Sequence, residues 1–145
     1  MATFNLLQVP DVEDDPSRDI LFPKGLPGFG HLHRFHLMID PSYSPPFEFL
    51  LSDEESDVGF YLVDPALIRR DYAPEISEAD LHEVQPGSED PLVLRAIVTL
   101  GSDVAGTTVN LAAPLVLNFA TGLGCQVILE DTRYSVRTPI DATAQ

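Results

Sequence analysis

Apolar and polar residues alternate with a period of two in several short stretches, and turn-forming residues separate those stretches. That period places side chains on alternate faces of an extended chain, so it predicts strands. Over 33–40, Phe35, Leu37 and Ile39 share one face. Over 47–52, Phe47, Phe49 and Leu51 alternate with Glu48, Leu50 and Ser52. Val58, Phe60 and Leu62 alternate with Gly59, Tyr61 and Val63, and the acidic run 53–57 joins these two strands into a hairpin. Residues 92–100 are the most apolar run, rich in β-branched side chains, and predict a strand buried on both faces except near Arg95 and Thr99. Further strands are expected over 3–9, 107–112, 115–118 and 125–130, with a last one over 134–137. Residues 19–22 are short and apolar, 122–124 form a turn, and 141–145 form a frayed tail.

Thirteen prolines and nine glycines supply the punctuation. Residues 23–30 cannot be regular structure, since two prolines and three glycines fall among eight positions. Residues 11–15, 41–46 and 101–106 read as turns or loops. Asp64-Pro65 can open a short helical turn, with Asp64 as N-cap. Ser77 and Asp80 stand at capping-box spacing for a second helix over 77–85, stopped by Pro86-Gly87. The links are too short for parallel crossovers. The fold class that follows is mainly β: an antiparallel, partly open β-barrel or sandwich with one or two short helices, in a single domain over 1–145.

Charge changes the picture most. Eight Lys and Arg face 23 Asp and Glu, for a formal net charge of -15. Such a surface repels phosphate backbones and attracts a basic protein partner, so no direct nucleic-acid binding is expected. No stretch approaches the roughly 18 apolar residues a membrane span needs. The first ten residues carry no basic, apolar leader, which points to the cytoplasm. The single cysteine, Cys125, excludes an internal disulfide and a Cys-based zinc site.

Catalytic and cofactor motifs are missing. Gly25, Gly28 and Gly30 resemble a phosphate-cradling loop, but Pro27 removes an N–H and no helix is expected to follow. On a strand, His31 and His33 would share a face while His36 points away, so a local hydrogen-bonding role is expected over a metal site. Cys125 starts an apolar strand and reads as a core thiol; a hydrolase would need it to meet His82 in a cleft. No cofactor is expected, and the chain reads as no enzyme.

The order of the odd loops carries a resemblance. Residues 20–29, Ile-Leu-Phe-Pro-Lys-Gly-Leu-Pro-Gly-Phe, are similar to the N-terminal signature of the FliW family of flagellar assembly factors. Residues 47–52, 60–65 and the step Asp71-Tyr72 follow in family order. Residues 107–116, Thr-Thr-Val-Asn-Leu-Ala-Ala-Pro-Leu-Val, resemble its C-terminal signature, completed by 126–129 and Tyr134. The resemblance implies a β-barrel-like monomer that does no chemistry. It implies two cytoplasmic protein partners: flagellin, and CsrA, an RNA-binding repressor of flagellin synthesis. Secretion of flagellin would free the chain to capture CsrA. Two departures bear on contacts: the turn 119–124 lacks basic residues, and the acidic runs 11–15 and 53–57 are heavy.

Within the signatures, Leu26, Phe29, Phe49, Phe60, Leu111 and Val116 are expected in the core, and Gly25, Pro27 and Gly28 in a turn. Asn110 is expected to bond nearby backbone, and Pro114 to mark a bulge or edge with unpaired main chain. The partner surface is therefore expected at Asn110, Leu111 and Pro114, with Asp53, Glu54 and Glu55 as a second candidate. The rival readings are a small-ligand β-barrel without catalysis, which needs an apolar cavity, and the hydrolase just described.

Overall fold

In a computed structural model of the chain, the alternating stretches pair in sequence order into a curved sheet. The structure describes residues 19–26, 28–40, 47–55, 57–84 and 92–140, with backbone alone at 39, 40, 47 and 104. The strand expected over 3–9, the turn 11–15, the loop 41–46 and the tail 141–145 lie outside the described residues.

The strands are β1 (Asp19–Leu21), β2 (Arg34–Asp40), β3 (Phe47–Ser52), β4 (Gly59–Val63), β5 (Leu92–Thr99), β6 (Thr108–Asn118), β7 (Leu123–Gln126) and β8 (Thr138–Pro139). Spatial order is β5-β4-β3-β2-β1-β7-β6-β8, and β5 also pairs β6. That last pairing closes seven strands into a barrel, with β8 added outside β6. Every ladder is antiparallel except β1–β7, which is parallel and rests on the one pair Leu21↔Leu123. The seam of the barrel is therefore thin.

Closure lets the period-two faces point at one another. Leu37, Leu50, Leu62, Leu115 and Leu117 are buried together, and Phe22 meets Phe35 edge to face at 5.5 Å. Burying each such leucine stabilises by about 1.5–3 kcal/mol. Along β3 the inward face is Glu48, Leu50 and Ser52, while Phe49 is half-buried against Tyr61 on the other face. Leu26, Leu111 and Val116 are buried, as expected, and Phe29 and Phe60 pack partly buried against the core.

Both expected helical segments form. Asp64 Oδ1 accepts the Ala66 N–H (3.0 Å) and opens a 3-10 turn at Pro65–Leu67. Ser77 Oγ accepts the Asp80 N–H (3.1 Å) and caps the helix α1 (Glu78–His82).

The other differences have local causes. The two strands expected over 107–112 and 115–118 are one strand, β6, which continues through Pro114 as a bulge. β7 begins at Leu123, because the reversal lies earlier: Gly122 takes φ +74° and its N–H bonds Asn118 O at 2.8 Å. Residues 134–137 turn instead of extending, and the strand there is Thr138–Pro139. Arg95, expected to interrupt burial, is itself buried because Glu48 meets it inside.

The glycine-proline loop after β1 folds tightly: Gly25 N–H bonds Phe22 O (2.8 Å) and Phe29 N–H bonds Leu26 O (2.7 Å). Gly25 sits at φ +68°, and a Cβ there would lie 2.7 Å from Gly30 Cα. Gly28 sits at φ +85° with open space beside it. Gly28→Ala is expected to cost about 1 kcal/mol for the left-handed backbone alone. Gly25→Ala should cost more, since backbone must also move. Thermal melts of the two variants check the order.

Candidate functional site

The bulge in β6 is built from its own sequence. Ile97 pairs Asn110 and Arg95 pairs Leu115, so two steps along β5 match five along β6. Asn110 Oδ1 accepts the N–H groups of Ala112 (3.0 Å) and Ala113 (3.1 Å), and Pro114 has none to offer. The Leu111 N–H donates to Ser135 O at 2.9 Å. The carbonyls are met as well. Leu111 O accepts Tyr72 Oη–H (2.8 Å) and Ala113 O accepts Gln126 Nε2 (2.9 Å). Ala112 O accepts the Leu129 N–H and Pro114 O the Val127 N–H, each at 2.9 Å.

This corrects the expectation of unpaired main chain at 110–114. The bulge exists, but the Asn110 amide and the segment 126–129 satisfy it. Leu111 and Pro114 are buried and Asn110 half-buried, so these residues shape the surface from beneath. Asn110→Ala should therefore lower stability by about 1–3 kcal/mol, the cost of stranding N–H groups. Asn110→Asp keeps an acceptor oxygen and should cost less. Urea denaturation of both variants measures the difference.

Above the bulge, the barrel mouth opens into an apolar groove of about 480 Å³, where Phe60, Ile97, Ala112, Ala113, Ile128 and Val136 meet. Ile128 is 66% exposed and Val136 57%. Both fall in stretches expected as strands, 125–130 and 134–137; Ile128 points outward because it alternates with the buried Val127, whose N–H bonds Pro114 O. A second groove of about 510 Å³ lies on the same segment, lined by Glu75, Ser77, Asp80, Glu130 and Asp131.

The acidic loop is a separate construction. Asp53 Oδ1 meets His36 Nδ1 at 2.5 Å, and Glu55 Oε2 meets His31 Nε2 at 2.9 Å. Glu54 Oε1 accepts the N–H groups of His33 (2.6 Å) and Arg34 (2.9 Å). Those two amides, Arg34 first, hold the Glu54 carboxyl below its ordinary range. The three carboxylates thus clasp the start of β2 and the residues just before it. Among the described residues, no hydrogen bond or ion pair joins this loop to 110–114. The two sets of candidate residues are not brought together.

Cys125 packs with Val84, Val116 and Val127, and its thiol faces Asp80 O at 3.6 Å. Burial, helped by the Glu83 and Asp80 charges, pushes it up to about 11, so it stays S–H at neutral pH. His82 is exposed on α1. Nothing in this arrangement activates a nucleophile. Among the described residues, no His, Cys, Asp and Glu side chains gather into a group that could hold a metal.

A family profile described as FliW protein matches residues 6–140. The chain belongs to the FliW family. It is 38% identical over 128 residues to the flagellar assembly factor FliW of Thermotoga maritima, covering 88% of this chain and 85% of that one. It is 31% identical over 129 residues to the FliW of Thermoanaerobacter pseudethanolicus, covering 89% and 86%. A crystal structure of the flagellar assembly factor FliW superimposes with a TM-score of 0.76 at 30% identity, covering 87% of each chain. The residues that carry the resemblance have structural tasks here: Gly25 and Gly28 make the turn, Asn110 makes the bulge, and Tyr72 and Tyr134 hold it in place. Among the described residues, no helix is long and apolar enough to cross a membrane.

Proposed function

We propose that this FliW-family chain is a cytoplasmic protein-binding regulator of flagellum assembly that binds flagellin and, alternatively, sequesters CsrA, which relieves repression of flagellin synthesis. The observation that carries this reading is a formal net charge of -15 on a FliW fold. A protein this negative suits a basic RNA-binding partner and repels RNA from the complex. The bulge at Asn110, Leu111 and Pro114 supports the reading by shaping an exposed apolar groove beside acidic side chains. Asp53, Glu54 and Glu55 remain the second candidate contact, through the outer faces of carboxylates already bonded to β2 and the residues just before it.

A small-ligand barrel has less support. Leu50, Leu62, Leu115 and Leu117 fill the interior at 0% exposure, and the groove at the mouth is open to solvent. Binding should show charge steering. The association rate with CsrA is expected to fall about tenfold or more between about 50 and 500 mM salt, as screening shortens the reach of the field. Stopped-flow mixing measures it, and a salt-independent rate would remove steering from the account.

A further inference from the structure

Burial alternates along the run that follows β7: Val127 is buried, Ile128 exposed, Leu129 half-buried and Glu130 exposed. The backbone sets that alternation. The Val127 N–H donates to Pro114 O and the Leu129 N–H to Ala112 O, each at 2.9 Å, which holds the run extended along β6. Side chains two positions apart then share a face at a separation of roughly 7 Å. Ile128, 66% exposed, and Glu130 therefore stand side by side on the outer face, one apolar and one anionic. The two grooves continue that pairing. Ile128 and Leu129 line both, so they form a wall that the grooves share. On one side of it lie Phe60, Ile97 and Val136. On the other lie Glu75, Asp80, Glu130 and Asp131. Asp131 is paired with Arg133 at 2.7 Å and Asp80 accepts from Ser77 Oγ at 3.0 Å, while Glu75 and Glu130 are exposed.

Such a surface fits an apolar group and a cation carried on neighbouring side chains. Lys and Arg suit the shared wall twice, because the methylene stem lies along Ile128 and Leu129 while the charge reaches the carboxylates. We propose that the two grooves flanking Ile128 and Leu129 form one docking surface for a segment of a protein partner in which an apolar side chain stands beside a Lys or Arg. The apolar side chain enters the mouth, and the cation enters the acidic groove. Apolar burial supplies affinity, and the carboxylates select the partner by charge. This chain is a poor source of such a segment. Outside the described residues it has one cationic side chain, Arg18, and that residue follows the acidic run 11–15, which the acidic groove repels. A second copy of the chain brings a charge of -15 to the same carboxylates. The proposal rests on the reading of the chain as a protein-binding module and adds which surface a partner meets and what that partner must carry.

The test uses the intact chain with ¹³C-labelled Ile, Leu and Val methyl groups and a synthetic probe, acetyl-Leu-Ser-Arg-Ser-Leu-Ser-Arg-amide. One control peptide replaces both Arg by Glu, and a second replaces both Leu by Ser. The probe is expected to shift the Ile128, Leu129 and Val136 methyls and to bind about tenfold more tightly than either control. Ile128→Ser removes apolar wall at an exposed position, so it should lose about tenfold in affinity with the fold intact. Glu130→Lys should lose about threefold at low salt, and the loss should shrink as salt is added. If Ile128→Ser disturbs methyls far from the grooves, Ile128→Thr takes its place and should weaken the probe in the same direction. Equal binding of the probe and either control, or shifts confined to other surfaces, would overturn the proposal. So would methyl contacts between Ile128 or Val136 and residues 1–18 in the free chain, because the chain itself would then fill the mouth. Shifts of those methyls on concentrating the chain alone would assign the surface to a second copy and overturn it equally. Flagellin and CsrA are titrated in parallel against the variants. If the chain binds them and Ile128→Ser and Glu130→Lys change nothing, this surface fails and the proposed function stands. If neither protein binds, the proposed function fails, while the peptide series still decides the surface.

Discussion

Arg95→Met lowers the stability of the chain by about 3–5 kcal/mol, the cost of leaving one member of a buried ion pair behind. Arg95 Nε donates to Glu48 Oε1 at 2.8 Å and Nη2 donates to Oε2 at 3.3 Å. The guanidinium also donates to Leu94 O at 2.8 Å. Both side chains are within 3% of full burial. The two-pronged geometry lets one carboxylate satisfy one planar cation. Without Arg95, Glu48 keeps its charge in a poorly solvating interior or must take up a proton. Either way the folded state loses, and total stability for such a domain is only about 5–15 kcal/mol. Urea denaturation of Arg95→Met should show a lowered midpoint with an unchanged slope. The double variant Glu48→Leu, Arg95→Met should recover most of the loss, because an apolar pair needs no partner for a stranded charge. Equal losses in the single and double variants would mean that the pair acts through packing alone.

The second large effect is at Tyr134. Its ring is buried, edge-on to Tyr72 at 4.7 Å, with the guanidinium groups of Arg69 and Arg133 at 5.0 and 5.3 Å from its centroid. Its Oη accepts the Ala73 N–H at 3.1 Å. Arg69 Nη1 donates to Arg133 O at 2.7 Å, tying the same two segments. Tyr72, whose hydroxyl burial keeps protonated, donates to Leu111 O on the bulge. Tyr134→Ala is expected to cost about 3–5 kcal/mol, as for other buried aromatics cut to alanine. Tyr134→Phe removes one hydrogen bond and should cost about 1 kcal/mol. Thermal melts of the two variants separate ring from hydroxyl. A small effect of Tyr134→Ala would show that the bulge does not depend on this cluster.

The strands of the barrel wall were legible because each carries its own alternation. β2, β3 and β4 fall within a residue of their expected bounds at every end. Both helical segments were legible because their caps, Asp64 and Ser77, act on residues two or three positions away. What failed to show depends on distant partners. Arg95 looked like a break in burial because Glu48 is 47 positions away. The bulge looked unpaired because its acceptors and donors come from Tyr72, Gln126, Val127, Leu129 and Ser135. The bonds of the acidic loop did not show because the histidines and amides that hold it lie some 17–24 positions away, in β2 and just before it. Ile128 carried no outward sign, since an apolar residue on a strand reads as core. The charge of -15, by contrast, is a property of the whole chain and needs no fold to be read.

The central claim, that this FliW-family chain acts by capturing a basic RNA-binding repressor in competition with flagellin, is tested most directly by a gel-shift titration. CsrA is first bound to the leader of flagellin mRNA, and the chain is then added. The account predicts that the RNA is released as the chain is added, and that flagellin added afterwards returns CsrA to the RNA. RNA that stays bound at every concentration of the chain, with flagellin making no difference, would contradict it.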